Sequence, residues 1–449
     1  MITKEVQNIY FIGIGGIGMS AIARYFVRQG KYVSGYDKTP TLITKELSVL
    51  NVDVYFEEDV ARISSSNITP ENTLVVYTPA IPKEHKELVY FFANGFNVLK
   101  RAAVLGEITK NSFSLAVAGT HGKTTTSSIL GHIMSSQNAT SFLGGIAENY
   151  SSNLILGGSE ISVVEADEFD RSFLKLSPNI ACITSMDADH LDIYGEHDAL
   201  LESFQAFANK VTDQMIVAKG LPLDGLTYAI NEEADYIGQN VSITDGYYEF
   251  DIQTPKYVVK DVHFSLPGRH NMMNAIAAFA MADCYGVDHE TIKKQLKSFA
   301  GVQRRFSYRI KRDDFVLIDD YAHHPTEINA VYQSVRELYP NDKVLTVFQP
   351  HLFSRTKDFI DDFARSLEQF DEVALLDIYP ARELPIEGVS SSWLLDKIKN
   401  PNKKLITKGE VKQRILDSKC KIITMLGAGD IGVLIQEVSW ELKMDYEKN

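Results

Sequence analysis

The sequence predicts an α/β protein of three domains, each built on a mainly parallel sheet. Three observations predict it. Short apolar, β-rich runs alternate with helical patterns along nearly the whole chain, the mark of βαβ units. The 449 residues exceed the roughly 250–300 that one core usually serves. New strand systems open near residues 107 and 304, dividing the chain into 1–106, 107–303 and 304–449. No internal repeat or Pro/Ser-rich linker separates them, so the hinges are short.

The first domain opens with NIYFIGIGGIGMSAIARYF, residues 8–26. A buried strand, a glycine turn and a helix explain this run better than a secretion signal, because no basic segment leads it and glycines interrupt it. Gly13, Gly15, Gly16 and Gly18 follow the strand. Asp37 closes the next strand, YVSGYD, about 20 residues on. This layout is Rossmann-like: a diphosphate sits on the N–H groups of the helix start and the acid accepts from a ribose hydroxyl. A nicotinamide nucleotide, another nucleotide diphosphate and a plain tight turn all fit the loop at this point. The reading kept is a diphosphate site of open identity.

The second domain opens with FSLAVAGTHGKTTTSSILGHIM, residues 113–134. Gly122, Lys123 and Thr124 match the end of the phosphate-loop pattern G-x-x-x-x-G-K-S/T. Its leading glycine would fall at Val117, and a glycine comes two residues late, at Gly119. The expectation is a P-loop-type site with a tightened loop. Lys123 would reach the β- and γ-phosphates and Thr124 would offer its hydroxyl to Mg²⁺. Two more apolar strands follow. ISVVEAD carries Glu165 near its end, and NIACITSMDADH is followed by Asp187, Asp189, His190 and Asp192. Ligands of open α/β sheets bind beyond the carboxyl ends of strands. Thr124, Glu165 and His190 would therefore meet at one rim, a set suited to Mg²⁺ bridging phosphates. The third domain opens with DFVLIDDYAHHPTEI and continues through KVLTVFQPHLFSRT and DEVALLDIYP to CKIITMLGAGDIGVL. Its GAGDIG loop, after the last strand, is read as a tight turn.

Composition narrows the function. A formal charge of −14 argues against a broad basic face for nucleic acid. Cys182, Cys284 and Cys420 have no zinc or C-x-x-C spacing, so buried thiols in a reducing compartment are expected. No apolar run approaches the ~20 residues of a membrane span. A soluble, cytoplasmic protein is expected.

Taken together, GTHGKTTT, VVEADEFDRSFL, DADHLDIYG, GRHNMMNAIAA, RRF, DDYAHHPTEI and FQPHLFSRT occur in the order and approximate spacing of the Mur ligases, which the whole chain resembles. The resemblance implies a UDP-sugar domain, a central ATPase and a Rossmann-like closing domain. It places a UDP-sugar, not NAD, on the first loop, with Gly15, Gly16, Gly18, Asp37, Thr78 and Arg101 binding it. It implies ATP on Gly119, Thr120, Gly122, Lys123, Thr124 and Thr125. It further implies two Mg²⁺ ions, one on Thr124 and Glu165, the other on His190. Asn271 and Asn274 would read adenine, and Arg305 would approach the phosphates. Asp320 and Tyr321 would meet ribose and adenine. His324 and Arg355 would face the amino acid and the acyl phosphate. The catalytic set so implied is Lys123, Glu165, His190, His324 and Arg355.

Within the family, DRSFLKLSP after the acidic motif is similar to the branch that joins L-alanine to UDP-N-acetylmuramate, as a monomer or weak homodimer. The competing branch attaches a preformed tripeptide to the same sugar nucleotide in wall recycling. Leu352 stands where some relatives have a second arginine, leaving Arg355 to act with His351. Without the family, an N-cap is the alternative reading of Asn271, and a solvated turn before Pro325 that of His323 and His324.

Overall fold

The computed structural model describes residues 6–65, 67–187, 197–244, 247–381 and 383–447. Among the described residues there are three sheets. In the first, five parallel strands lie in the spatial order Asp53–Tyr55, Tyr32–Tyr36, Asn8–Ile12, Thr73–Tyr77, Asn97–Lys100. Strand order reverses between the strands at Asn8 and Thr73, which is where a doubly wound sheet opens its ligand crevice. The glycine turn after Ile12 sits at that point. Along the central strand, Ile9 and Phe11 pack with Met19 and Phe26 on one face, while Tyr10 and Ile12 pack with Leu88 and Phe91 on the other. Covered on both sides, a parallel strand reads as a continuous apolar run.

The second sheet has ten strands. Phe113–Ala118 is flanked by Ile180–Ile183 and Ile161–Glu165, both parallel to it. Thr140–Ala147 and the antiparallel Ser152–Ile155 extend one side. The other side continues through Gln214–Ala218, Leu226–Ile230, Tyr236–Thr244, Tyr247–Gln253 and Val258–Phe264. Sequence reading assigned no element to these last five. In the helix Lys123–Met134, every residue from Thr124 to Met134 is buried. Its small Thr and Ser side chains let it lie close to its neighbours.

His132 on that helix is buried between Tyr150 Oη at 2.8 Å and Ser298 Oγ at 2.9 Å. Burial pushes its pKa down to about 4. A histidine held below its ordinary value contributes stability above pH 6.5 that is lost as pH falls towards 4. Full protonation opposes folding by about 3 kcal/mol. Denaturant titrations at pH 7.5 and 5 are expected to show this loss in the wild type and a smaller one in His132→Gln.

The third sheet has six strands, ordered Ser307–Lys311, Val316–Asp320, Ile422–Leu426, Val344–Phe348, Glu372–Leu375, Lys403–Leu405. The first pair is antiparallel and the rest are parallel. Two cores cover its faces, one holding Ile318, Phe348 and Leu375, the other Leu317, Val347 and Met425.

By compactness the chain divides into two units. One holds residues up to 242, 249–265 and 273–300, with the first sheet and most of the second; the other holds residues 243–248, 266–272 and 301 onward, with the third. Among the described residues no helix is long and apolar enough to cross a membrane.

Candidate active site

Val117 does not belong to the GTHGKT loop. It is the penultimate residue of a strand, paired with Cys182 on one side and Glu165 on the other. The loop is short because the strand runs on to Ala118. Gly119 and Gly122 then turn the chain with φ +134° and +82°. A Cβ at residue 119 would stand 2.2 Å from Thr184 Oγ1 and 2.8 Å from Ser185 N, so only glycine lets the loop lie on the neighbouring strand end. Thr120 pins it there: its N–H donates to Ser185 O at 3.1 Å, and its hydroxyl meets Ser185 Oγ at 2.9 Å and accepts from Asp187 N at 3.0 Å. That hydroxyl serves the loop itself, a role the sequence reading did not foresee. Thr124 and Thr125 are buried in the first helical turn. Gly119→Ala is expected to add about 1–3 kcal/mol of backbone strain before its clashes are counted. Calorimetry should show binding of an ATP analogue weakened by about tenfold or more.

Glu165 ends its strand beside this turn. Its Oε2 accepts from Gly144 N at 3.1 Å and from Ser127 Oγ at 3.4 Å, and Ser127 Oγ also donates to Thr124 O at 3.2 Å. A hydroxyl and a carboxylate are hard oxygen donors of the kind Mg²⁺ takes, and the N–H groups of the helix start would face the phosphates it bridges. His190, Asp189 and Asp192 lie outside the described residues. Among the described residues no group of three or more His, Cys, Asp or Glu is gathered for a metal.

Lys123 turns back over its loop. Its Nζ donates to Gly119 O at 2.5 Å, Thr120 O at 3.2 Å and Glu168 Oε1 at 2.8 Å. Burial alone would lower the ammonium's pKa, but the carboxylates of Glu168, Asp167 and Glu165 more than offset it, and the pKa is raised. From the same acidic segment Asp167 accepts from Arg101 Nη2 at 3.1 Å and Asp170 from Lys100 Nζ at 2.9 Å.

Arg101 also presses on the first glycine loop, where a Cβ at Gly18 would stand 2.1 Å from its Nη1. Within that loop Gly15 N–H donates to Asp37 Oδ2 at 2.7 Å. Asp37 thus braces the turn as well as standing where a ribose acceptor was expected. Gly16 opens the helix Ile17–Arg28, and the Thr78 methyl packs beneath Gly13. A cavity of about 90 Å³ is lined by Gly18, Arg101, Phe142, Gly144, Glu165 and Asp167. It joins the first glycine loop to the Glu165 carboxylate.

The helix Arg269–Tyr285 carries both asparagines. Asn274 Oδ1 accepts from Thr126 Oγ1 at 3.1 Å and lies 2.6 Å from where a Cβ on Gly122 would be. Asn271 is not an N-cap but the third residue of the helix, donating to Pro267 O at 2.6 Å.

In the second unit both Asp320 oxygens hold backbone, accepting from Phe306 N at 2.6 Å and Ala322 N at 2.7 Å. Burial pushes this carboxyl up to about 6, against Arg305 and those two donors. The residue expected at the ribose is thus already occupied in bracing the turn. Tyr321 is flanked by the guanidinium groups of Arg304 and Arg305, 5.1 and 5.2 Å from its ring centre. His324 is not in a solvated turn. It is buried, caps the helix Pro325–Leu338 by accepting from Thr326 N at 3.4 Å, and lies edge-on to Phe359. Glu327 reciprocates, accepting from His323 N and His324 N. Arg355 is buried with Nη1 3.4 Å from His351 Nδ1, so the two residues expected to act together are neighbours. Leu352, just before, has φ +71°. The GAGDIG loop is indeed a tight turn closed by protein groups: Gln349 Oε1 accepts from Ile431 N, and Arg304 donates to Gly427 O.

Family models match nearly the whole chain: "Mur ligase family, catalytic domain" over 8–113, "Mur ligase middle domain" over 117–282 and "Mur ligase, glutamate ligase domain" over 304–434. The chain is 60% identical over 439 residues to the UDP-N-acetylmuramate–L-alanine ligase of Flavobacterium johnsoniae, covering 97% of this chain and 98% of that one. The chain belongs to the Mur ligase family. Among solved structures it is similar to the UDP-N-acetylmuramate–alanine ligase of Thermotoga maritima, with TM-score 0.83 and 26% identity over 98% of this chain and 99% of that one. A murein peptide ligase from Psychrobacter arcticus shares the fold, with TM-score 0.70 and 21% identity over 96% and 98%.

Against this Mur ligase background, sequence reading missed Glu168, Arg304 and Gln349. Arg304 had a signal, standing beside Arg305 in RRF. Glu168 was hidden inside the acidic run EADEFD, and Gln349 looked like an ordinary polar residue after a strand.

Proposed function

We infer that the protein is an ATP-dependent ligase that joins L-alanine to the lactyl carboxylate of UDP-N-acetylmuramate, the first peptide step of peptidoglycan precursor synthesis. The relative from Flavobacterium johnsoniae, matched over 97% of the chain, supports the choice of substrates. The cavity shared by Gly18, Arg101 and Glu165 is the observation that carries the geometry: a sugar-nucleotide carboxylate entering from the first loop arrives beside the nucleotide loop.

A carboxylate resists amines because its charge repels the attacking lone pair. Moving the γ-phosphoryl of ATP onto it gives an acyl phosphate with a good leaving group. The alanine amine then attacks, and the tetrahedral intermediate expels phosphate. Phosphoryl transfer is chiefly positioning plus charge stabilisation. In this reading Gly119, Thr120, Gly122, Lys123, Thr124 and Thr125 cradle the triphosphate. Asn271, Asn274, Arg305, Asp320 and Tyr321 hold the rest of the nucleotide. Gly15, Gly16, Gly18, Asp37, Thr78 and Arg101 hold the UDP-sugar, and His324 and Arg355 orient the amino acid and acyl phosphate. Thr124 and Glu165 would hold Mg²⁺, with His190 serving a second ion; bound there, the metal neutralises phosphate charge. Segments 1–106, 107–303 and 304–449 are then sugar-nucleotide, ATP and closing domains of a cytoplasmic monomer or weak homodimer.

The test is ADP formation with each substrate omitted in turn. It is expected to require UDP-N-acetylmuramate and L-alanine together. Turnover that ignores either one contradicts the reading.

A further inference from the structure

Glu168 has no part in the roles above, yet it is fully buried. An ammonium has three hydrogens to donate, and Lys123 Nζ meets three acceptors: Glu168 Oε1, Gly119 O and Thr120 O. The backbone that delivers Glu168 is held from both sides. Ala166 N–H donates to Val117 O at 2.8 Å, tying the segment to the strand under the loop. Phe173 N–H donates to Asp167 O at 2.9 Å, and its ring stacks on Phe207 with centroids 4.9 Å apart. Between these anchors Asp170 and Arg171 both have φ +53°. Two consecutive left-handed residues, neither of them glycine, persist only where the surroundings over-determine them, and such strain clusters at functional sites. The bend they make follows two residues after Glu168, whose Oε1 lies 2.8 Å from Lys123 Nζ.

We propose that Glu168 is a positioning residue for Lys123, whose buried carboxylate competes with the triphosphate for the ammonium. The proposal rests on residues 119–125 being the ATP loop. A triphosphate that captures Lys123 must displace a resident carboxylate. Separating a buried carboxylate from its cation is costly, and that cost weakens nucleotide binding. Glu168→Gln keeps the shape and a hydrogen-bond acceptor but removes the charge.

The experiment is calorimetric titration of the full chain with β,γ-imido-ATP and Mg²⁺, for wild type, Glu168→Gln and Glu168→Asp, with melting temperatures measured without ligand. Glu168→Gln is expected to bind about tenfold tighter while melting lower, and its KM for ATP is expected to fall more than its kcat changes. Glu168→Asp, with the charge on a shorter arm, is expected to fall between. A purely structural Glu168 would lower the melting temperature without tightening binding. Unchanged or weaker binding by Glu168→Gln overturns the proposal; if that variant does not fold, affinity of Glu168→Asp at or below wild type does so. Wild type that fails to bind imido-ATP overturns the loop assignment instead.

Discussion

Lys123→Met is expected to cut alanine-dependent phosphate release by about 10³-fold and to destabilise the protein at the same time. The two effects have one origin. Lys123 supplies positive charge inside the loop, where phosphoryl transfer depends on placed charge rather than on covalent chemistry. The same ammonium answers the fully buried Glu168 at 2.8 Å. Removing one member of a buried ion pair typically costs about 3–5 kcal/mol, whereas replacing both with apolar residues is often neutral. Lys123→Met with Glu168→Leu is therefore expected to recover stability in denaturant titrations but no activity. A single variant with full stability would show that the pair does not act as drawn.

Arg355→Ala is expected to lower kcat by about 10²–10³-fold, the usual effect of losing one charge-stabilising donor. It should leave the affinity for imido-ATP unchanged. Arg355 is buried, with Nη1 3.4 Å from His351 Nδ1, and follows Leu352 at φ +71°. Positive φ at a leucine is unfavourable, and such strain is kept where it aims a functional group. Arg355→Lys retains charge but loses the planar fork that grips two oxygens at once, so little activity should return. Steady-state kinetics with varied L-alanine check both variants. Wild-type kcat in Arg355→Ala would remove this residue from the catalytic set.

The two glycine loops were legible because their geometry admits few alternatives. Gly119 and Gly122 stand at positive φ, where a residue without Cβ is favoured, and Gly18 stands against the Arg101 guanidinium. HHPTE was also readable in principle: His324, Pro325 and Glu327 occupy N-cap, N1 and N3 of a helix, a capping pattern. The sequence left that segment as either a substrate contact or a solvated turn, because a cap and a ligand contact need the same exposed-looking polar cluster. Glu168 was not legible. Its partner Lys123 lies 45 residues away in sequence, and neither Asp170 nor Arg171 announces the left-handed turn that follows it. The five strands from Gln214 to Phe264 were missed for another reason. Segments such as YYEFDIQ alternate buried and part-exposed residues, a weaker signal than the continuous apolar strands that carry the site. Asp320 shows a third limit. The family resemblance put it at the ribose but could not say that both oxygens would accept from Phe306 N and Ala322 N.

The most direct measurement is product mass after incubating the protein with ATP, Mg²⁺ and UDP-N-acetylmuramate, in parallel with L-alanine or with the L-Ala-γ-D-Glu-diamino acid tripeptide. The account predicts phosphate release with L-alanine and a product heavier than the sugar nucleotide by one alanyl residue. Phosphate release and product only with the tripeptide would contradict it and move the enzyme to the recycling branch.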